Sequence, residues 1–381
     1  MTAFRLMSRN FMGCCLASFF YFGSFYLLLP VLPLYVAGFG GMASEIGLAV
    51  GVFTLFSVLV RPHSGKLVDR YGLKRFMVLG AGLFTLMFAC YFWVADLTML
   101  YVVRVLHGVA HGVFLAAVFA YVGGIAPQDR RGEVMGVFGM ANVLSMAIFP
   151  AVGTYFVQRF GGFDELFGAA VVMAVVALVA VLSVDELRPC VRQTVGVRLR
   201  EIIRIRAVWL ACVTYISAAI AYGTVITFLP VYAMELGIVE FGQFFMVYAV
   251  FTLISRRVAG KLSDEYGRYV VVVPFMVLIL CAMVLFAWLA NLAMLWLCAM
   301  LFGLGFGAFM PALNAYIIDK TSPAQRSGAL AIFSSAMDVG ITAGAVVLGL
   351  VSEAAGYAVM YGVSAALVLC GLVLFARLGR G

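Results

Sequence analysis

The chain has 381 residues, of which 65% are hydrophobic and only 11% charged, and its mean hydropathy is +1.12. A soluble domain is nearer half apolar and a quarter charged, so these values exclude a soluble globular protein and describe a polytopic membrane protein. The formal net charge of +8 does not call for nucleic acid, because the positions of the basic residues account for it as a topology signal.

Twelve apolar windows follow one another, at 10–35, 45–66, 74–94, 97–121, 131–157 and 165–185, then at 207–233, 241–262, 269–290, 293–318, 327–351 and 356–377. A helix of about 20 residues crosses about 30 Å of hydrocarbon, and only helices or closed barrels satisfy their backbone there. The first window, from about Phe11 to Leu34, is too long for a signal-peptide core and lacks a small-residue cleavage pattern, so it is read as a retained span. Arg70, Lys74 and Arg75 follow span 2, Arg130 and Arg131 follow span 4, and Arg188 to Arg206 follow span 6. Arg268, Lys320, Arg377 and Arg380 continue the alternation, while the intervening loops carry Glu45, Asp96, Asp164, Glu165, Glu235, Glu240 and Glu353 against Arg159. The positive-inside bias then places both termini in the cytoplasm. The expected organisation is an N-terminal six-helix bundle over 1–186, a basic cytoplasmic linker over 187–206, and a C-terminal six-helix bundle over 207–381. No N-x-[ST] sequon occurs and the tails are short, which favours a bacterial inner membrane.

The cysteines Cys14, Cys15, Cys90, Cys190, Cys212, Cys281, Cys298 and Cys370 form no C-x-x-C, and all but Cys190 lie in apolar stretches. They suit reduced, buried thiols. Three histidines, no H-E-x-x-H and no phosphate-binding loop give metal or nucleotide chemistry no support. No cofactor is expected. An intramembrane enzyme would need a nucleophile and base, or a metal set, on facing helices, and none stands in the sequence.

The two halves repeat each other. "GKLVDRYG" at 65–72 returns as "GKLSDEYG" at 260–267, "LPLY" at 32–35 as "LPVY" at 229–232, and "APQDRRG" at 126–132 as "SPAQRSG" at 322–328. Gly108 and Gly112 likewise return as Gly303 and Gly307. Two halves of one orientation imply a mid-membrane binding cavity between them, opened to each side in turn by rocking.

The run "GKLVDRYGLKR", placed between spans 2 and 3, resembles the loop 2–3 signature of the major facilitator superfamily, G-x-L-x-D-R-x-G-R-[KR]; Leu73 departs from it. The resemblance covers the whole chain and implies an all-α fold of twelve transmembrane helices, secondary transport and alternating access. It also implies a conformational latch, in which Gly65 lets helix 2 approach helix 11 and Asp69 meets the positive N-terminal end of that helix near Arg326. Arg70, Gly72, Lys74 and Arg75 extend this latch, and Gly260 and Asp264 repeat it against helix 5.

Span 4 reads "LYVVRVLHGVAHG". Arg104, His107 and His111 fall on one helical stripe, and Gly108 and Gly112 form a G-x-x-x-G packing face beside it. Entering near Leu97 at 1.5 Å per residue, Arg104 lies about 10 Å deep and His111 about 21 Å. Charge inside a membrane is expensive and defaults to a functional reading. Arg104 with His107 and Gly108 also resembles the R-x-x-[QH]-G helix 4 motif of the family's proton-coupled members. Asp338 lies about 16 Å into span 11, and its repeat partner is Asn142; the pair is read as one coupling or substrate acid and one polar partner, with a structural role as the rival reading. The family's exporters share a helix 5 pattern, G-x-x-x-G-P-x-x-G-G. Here it survives in part as Ser145, Phe149, Pro150, Gly153 and Thr154. Tyr21 and Phe25 on helix 1 and Tyr215 and Tyr222 on helix 7 are expected to line the cavity, as first helices do in this family, and aromatic walls suit an amphipathic solute.

The expected function is proton-coupled efflux of a small amphipathic organic compound, a drug or metabolite. Its partners would be that solute, protons and the lipid bilayer, with the proton gradient as energy source, no nucleic acid, and a monomeric state. The alternative is a proton-coupled importer using the same residues.

Overall fold

The computed structural model describes residues 8–127, 130–187 and 199–379, and every regular element among them is helical. The first half comprises α1 (Arg9–Leu28), α2 (Leu32–Gly38), α3 (Ala43–Tyr71), α4 (Leu73–Cys90), α5 (Leu97–Ile125), α6 (Arg131–Phe160) and α7 (Asp164–Leu182), with a 3₁₀ turn at Tyr91–Trp93 after α4. The second comprises α8 (Leu199–Ile203), α9 (Arg206–Glu235), α10 (Gln243–Tyr266), α11 (Arg268–Ala287), α12 (Leu292–Lys320) and α13 (Pro323–Leu378).

Ten stretches among the described residues are long and apolar enough to cross a membrane. One of them joins α1 and α2, the single span expected at 10–35. Pro30 lies in the break and Pro33 in the first turn of α2, and each withholds a backbone donor. Another runs from Gly328 to Leu378 and is two helices joined at Gly356, whose φ of 84° and ψ of 167° are not helical. The α10 helix has the length to cross but carries Arg256, Arg257, Lys261, Asp264 and Glu265 in its second half. Counted by helix rather than by apolarity, the twelve expected spans are present.

The chain divides into two compact units, Met1–Phe39 with Val52–Arg192, and Gly40–Gly51 with Gln193–Gly381. The start of α3 therefore belongs to the second unit, where the Ser44 amide donates to the Glu353 carboxylate. In the first unit α1 packs on α6 and α7, and α4 packs on α5 and α7. In the second, α9 packs on α13, while α10 and α11 pack on α12. Of the basic linker, residues 188–198 lie outside the described residues. Its end forms α8, a five-residue helix that buries Ile202. Cys190 also falls outside the described residues, and the other seven cysteines are free thiols.

The internal repeat extends to backbone and packing. Six described glycines have positive φ, and they pair across the halves as Gly40 with Gly237, Gly72 with Gly267, and Gly161 with Gly356. Each pair turns the chain between successive helices in a conformation that side chains resist. The helix caps repeat too: Asp96 accepts from the Met99 amide at the start of α5, and Asn291 from the Met294 amide at the start of α12. Asp96→Ala and Asn291→Ala should each cost about 1 kcal/mol, read as a lower unfolding midpoint in detergent, with Asp96→Asn close to the parent. Close helix approaches repeat as well. A Cβ on Gly108 or Gly112 would strike the carbonyl oxygens of Phe53 or Ser57, and one on Gly303 or Gly307 those of Tyr248 or Thr252.

Candidate functional site

The site grows from the seam between α3 and α5. Helices in a membrane gain little from hydrophobic burial and associate by close packing. The bare faces of Gly108 and Gly112 let the α3 backbone come near, and this carries the Phe53 ring over Arg104. The guanidinium carbon stands 4.3 Å from the ring centroid, a desolvated cation–π contact worth about 2 kcal/mol. Arg104 is only 1% exposed, and its Nη1 donates to the Tyr91 hydroxyl over 3.4 Å. The same hydroxyl lies 3.3 Å from His107 Nδ1. Tyr91 comes from the 3₁₀ turn after α4, so two elements contribute to one buried polar chain.

Both histidines are wrapped in aromatic rings. His107 has Phe84 at 4.2 Å, Phe88 at 4.7 Å and Phe53 at 5.4 Å between centroids. His111 has Phe53 at 5.1 Å, with Phe25 and Tyr21 stacked on it at 5.4 and 5.7 Å. Tyr21 is itself sandwiched by Phe84 and Phe114 at 4.0 and 3.9 Å. His107 Nε2 and His111 Nδ1 are buried without a hydrogen-bond partner among the described residues. Exposure rises along the stripe, from 0% at His107 to 7% at His111, and Phe25 is half-buried. The structure therefore brings Arg104, His107, His111, Tyr21 and Phe25 together within the first unit.

Asn142, on α6, joins α1 through the Tyr26 hydroxyl, which donates to its Oδ1 over 3.3 Å. Nearby, Gly153 presses its bare face on the Leu27 carbonyl, and the Ser145 hydroxyl reaches the Phe19 carbonyl at 2.7 Å. Phe149, the departure from the exporter pattern, fits because the residue opposite is Gly23, whose Cβ would lie 2.6 Å from that ring.

In the second unit Tyr222 packs against Phe306 at 5.1 Å and Phe302 at 6.4 Å. At the repeat offset of 195 these phenylalanines replace His111 and His107, and Ala299 replaces Arg104. The charged stripe thus belongs to one half alone. Tyr215 stacks on Phe333 at 4.3 Å and donates to Met337 Sδ, the neighbour of Asp338. Asp338 is half-buried on α13.

The latch residues gather less. Gly72 starts α4 with a φ of 107°, and the Glu186 carboxylate caps that helix by accepting from the Lys74 amide over 3.1 Å. Arg70 lies over the adjacent Tyr71 ring, and Arg70, Arg75 and Arg326 are exposed. The side chains of Asp69 and Asp264 lie outside the described residues. A Cβ on Gly65 or on Gly260 meets none of the described atoms within 4 Å.

Tyr91, Phe53 and Glu186 escape a sequence reading. Each is an ordinary residue at a span end or on an apolar face, and only its tertiary neighbours distinguish it. Among the described residues no group of three or more His, Cys, Asp or Glu is placed to hold a metal ion.

A membrane-spanning helical fold duplicated in sequence, in turns and in packing, with a buried charged stripe in one half, suits a membrane transporter. The chain matches the model of the Major Facilitator Superfamily over residues 14–306 and again over 238–380, and belongs to that family. It is a multi-pass membrane transporter, not an enzyme. It is 26% identical to the multidrug resistance protein MdtG of Dickeya zeae over 376 residues, covering 95% of this chain and 92% of that protein. It is 22% identical to the staphylopine export protein of Staphylococcus aureus, covering 97% and 94%. The crystal structure of a point mutant of the nucleoside transporter NupG superposes with a TM-score of 0.81 at 13% identity, over 97% of this chain and all of that one, which establishes the shared fold.

Proposed function

We propose that this transporter is a proton-coupled exporter of a small amphipathic organic compound, acting as a monomer in a bacterial inner membrane by alternating access. The observation that carries the reading is the buried stripe of Arg104, His107 and His111 in an aromatic wall. Titratable groups inside a membrane segment are costly, and proton relays are a common reason to keep them. Aromatic rings around His111 and Tyr222 suit a flat, partly apolar solute. Export is favoured by the multidrug resistance and staphylopine export proteins among the relatives. Import remains the second reading because Phe149 interrupts the helix 5 pattern of exporters.

In this scheme Asp338 is the second proton-handling group, Asn142 its neutral counterpart, and Tyr215 and Tyr222 solute contacts of the second half. Gly65, Asp69, Arg70, Gly72, Lys74 and Arg75, with Gly260, Asp264 and Arg326, serve the latch between conformations. The proton gradient supplies the energy and no cofactor takes part.

A thermal-shift screen on purified protein identifies a ligand first, since a ligand that binds the native state raises its melting temperature. That ligand is then followed in proteoliposomes with an imposed proton gradient. Antiport predicts solute flux opposite to proton flux, collapsing with a protonophore; flux in the same direction establishes import, and indifference to the gradient overturns proton coupling. Asp338→Asn is expected to abolish gradient-driven accumulation while ligand binding persists. Uphill transport by that variant would return Asp338 to a structural role.

A further inference from the structure

The hydroxyl of Tyr91 stands between a fixed cation and an imidazole. Arg104 Nη1 donates to it over 3.4 Å, and a guanidinium can only donate. The hydroxyl keeps its own hydrogen to give, and His107 Nδ1, 3.3 Å away, is placed to take it. Nδ1 then accepts, and the neutral ring carries its hydrogen on Nε2.

A second observation agrees. Nε2 of His107 is buried and has no hydrogen-bond partner among the described residues, and the ring lies among Phe84, Phe88 and Phe53. An N–H aimed among aromatic faces gains a weak N–H···π contact. A bare lone pair there would gain nothing.

We propose that Tyr91 is the positioning residue of the coupling stripe, holding His107 in its Nε2–H tautomer and tying it to Arg104. An arriving proton then bonds at Nδ1, the nitrogen that Tyr91 covers. The new N–H donates to the Tyr91 oxygen, which keeps its own hydrogen and turns it away while still accepting from Arg104. No other bond forms or breaks. The hydroxyl orientation thus follows the charge on His107, and the two cations on α5 share one acceptor.

The other ionisable groups near this pair come from four helices: Tyr35, on α2, donates to the Tyr91 backbone carbonyl over 3.5 Å. His111 lies one turn along α5, and Arg61 on α3 reaches Ser57 Oγ over 3.2 Å. Tyr21 arrives from α1 against Phe84 and His111. From α7, Phe167 packs on the Tyr91 ring at 5.2 Å.

The role in transport rests on the proton-coupled reading above, but the tautomer does not, and the experiment separates them. The sequence holds three histidines, His63, His107 and His111, so ¹⁵N-histidine-labelled protein in lipid bilayers gives a spectrum that His107→Gln assigns by loss. Wild-type protein at neutral pH is expected to show His107 as the Nε2–H tautomer, and Tyr91→Phe to populate both tautomers. A wild-type His107 that is Nδ1–H, or charged, overturns the proposal even if Tyr91→Phe fails to fold. An unchanged His107 signal in a folded Tyr91→Phe protein overturns it equally. In transport, Tyr91→Phe should displace the midpoint of the pH–rate profile while Tyr91→Phe with His107→Gln behaves as His107→Gln alone. Should wild-type transport be independent of pH, the coupling role of Tyr91 falls, and the spectrum still decides the tautomer.

Discussion

Arg104→Ala is expected to bring transport to background while leaving the protein inserted and folded. Structural terms at this position nearly cancel. An arginine at a helix centre costs about 2.5–3.5 kcal/mol on insertion scales. Its stacking on Phe53 recovers about 2 kcal/mol, and its bond to Tyr91 about 1.5 kcal/mol. These contacts offset the cost of the charge without explaining why it is there, and a role in the transport cycle is the proposal this variant tests. Arg104→Lys keeps the charge but loses the planar face and the fork, so an intermediate rate is expected. Initial rates in proteoliposomes at equal protein, with melting curves for each variant, decide the matter. If the alanine variant transports at the parental rate, Arg104 is a packing residue.

Gly108→Val and Gly303→Val should each cost the protein its folded state or most of its stability. A Cβ on Gly108 would strike the Phe53 carbonyl, and one on Gly303 would stand 2.5 Å from the Tyr248 carbonyl. The obstacle in each case is backbone, which cannot swing aside, so the two helices must separate along their seam. Overpacking of this kind costs about 1–3 kcal/mol for small additions, and valine adds more than a methyl. Gly108→Val has a further consequence, because moving α3 lifts Phe53 from Arg104. Gly65→Val provides the contrast, having no described atom within 4 Å of its Cβ position, and should melt with the parent. Melting midpoints and size-exclusion profiles in detergent test both halves of the argument. Parental melting in Gly108→Val and Gly303→Val would show that the seam is not close-packed.

The apolar windows led to the right fold class because lipid leaves a chain few ways to satisfy its backbone. The helices refine the windows at two places, each for a local reason. Prolines 30 and 33 divide the first span into α1 and α2, and Gly356 joins the last two helices without an intervening loop. The repeat was legible from "GKLVDRYG" and "GKLSDEYG", and its extension to positive-φ glycines and caps appeared only with the backbone. The environment of Gly65 could not be read from its motif: none of the described atoms lies within 4 Å of a Cβ placed on it.

By itself, then, the sequence determined that this chain spans a membrane with duplicated helices and carries Arg104, His107, His111 and Asp338 inside them. Those properties follow from composition, the helical period and the expense of charge in hydrocarbon, all readable from neighbouring residues. Only the tertiary structure decided what the stripe touches. Phe53 reaches Arg104 because two glycines let α3 approach α5, and Tyr91 reaches His107 because a 3₁₀ turn after α4 returns it to the seam. Contacts of that kind depend on how closely two helices pass and how each is rotated about its axis. Packing sets both, and no single segment of the chain encodes them.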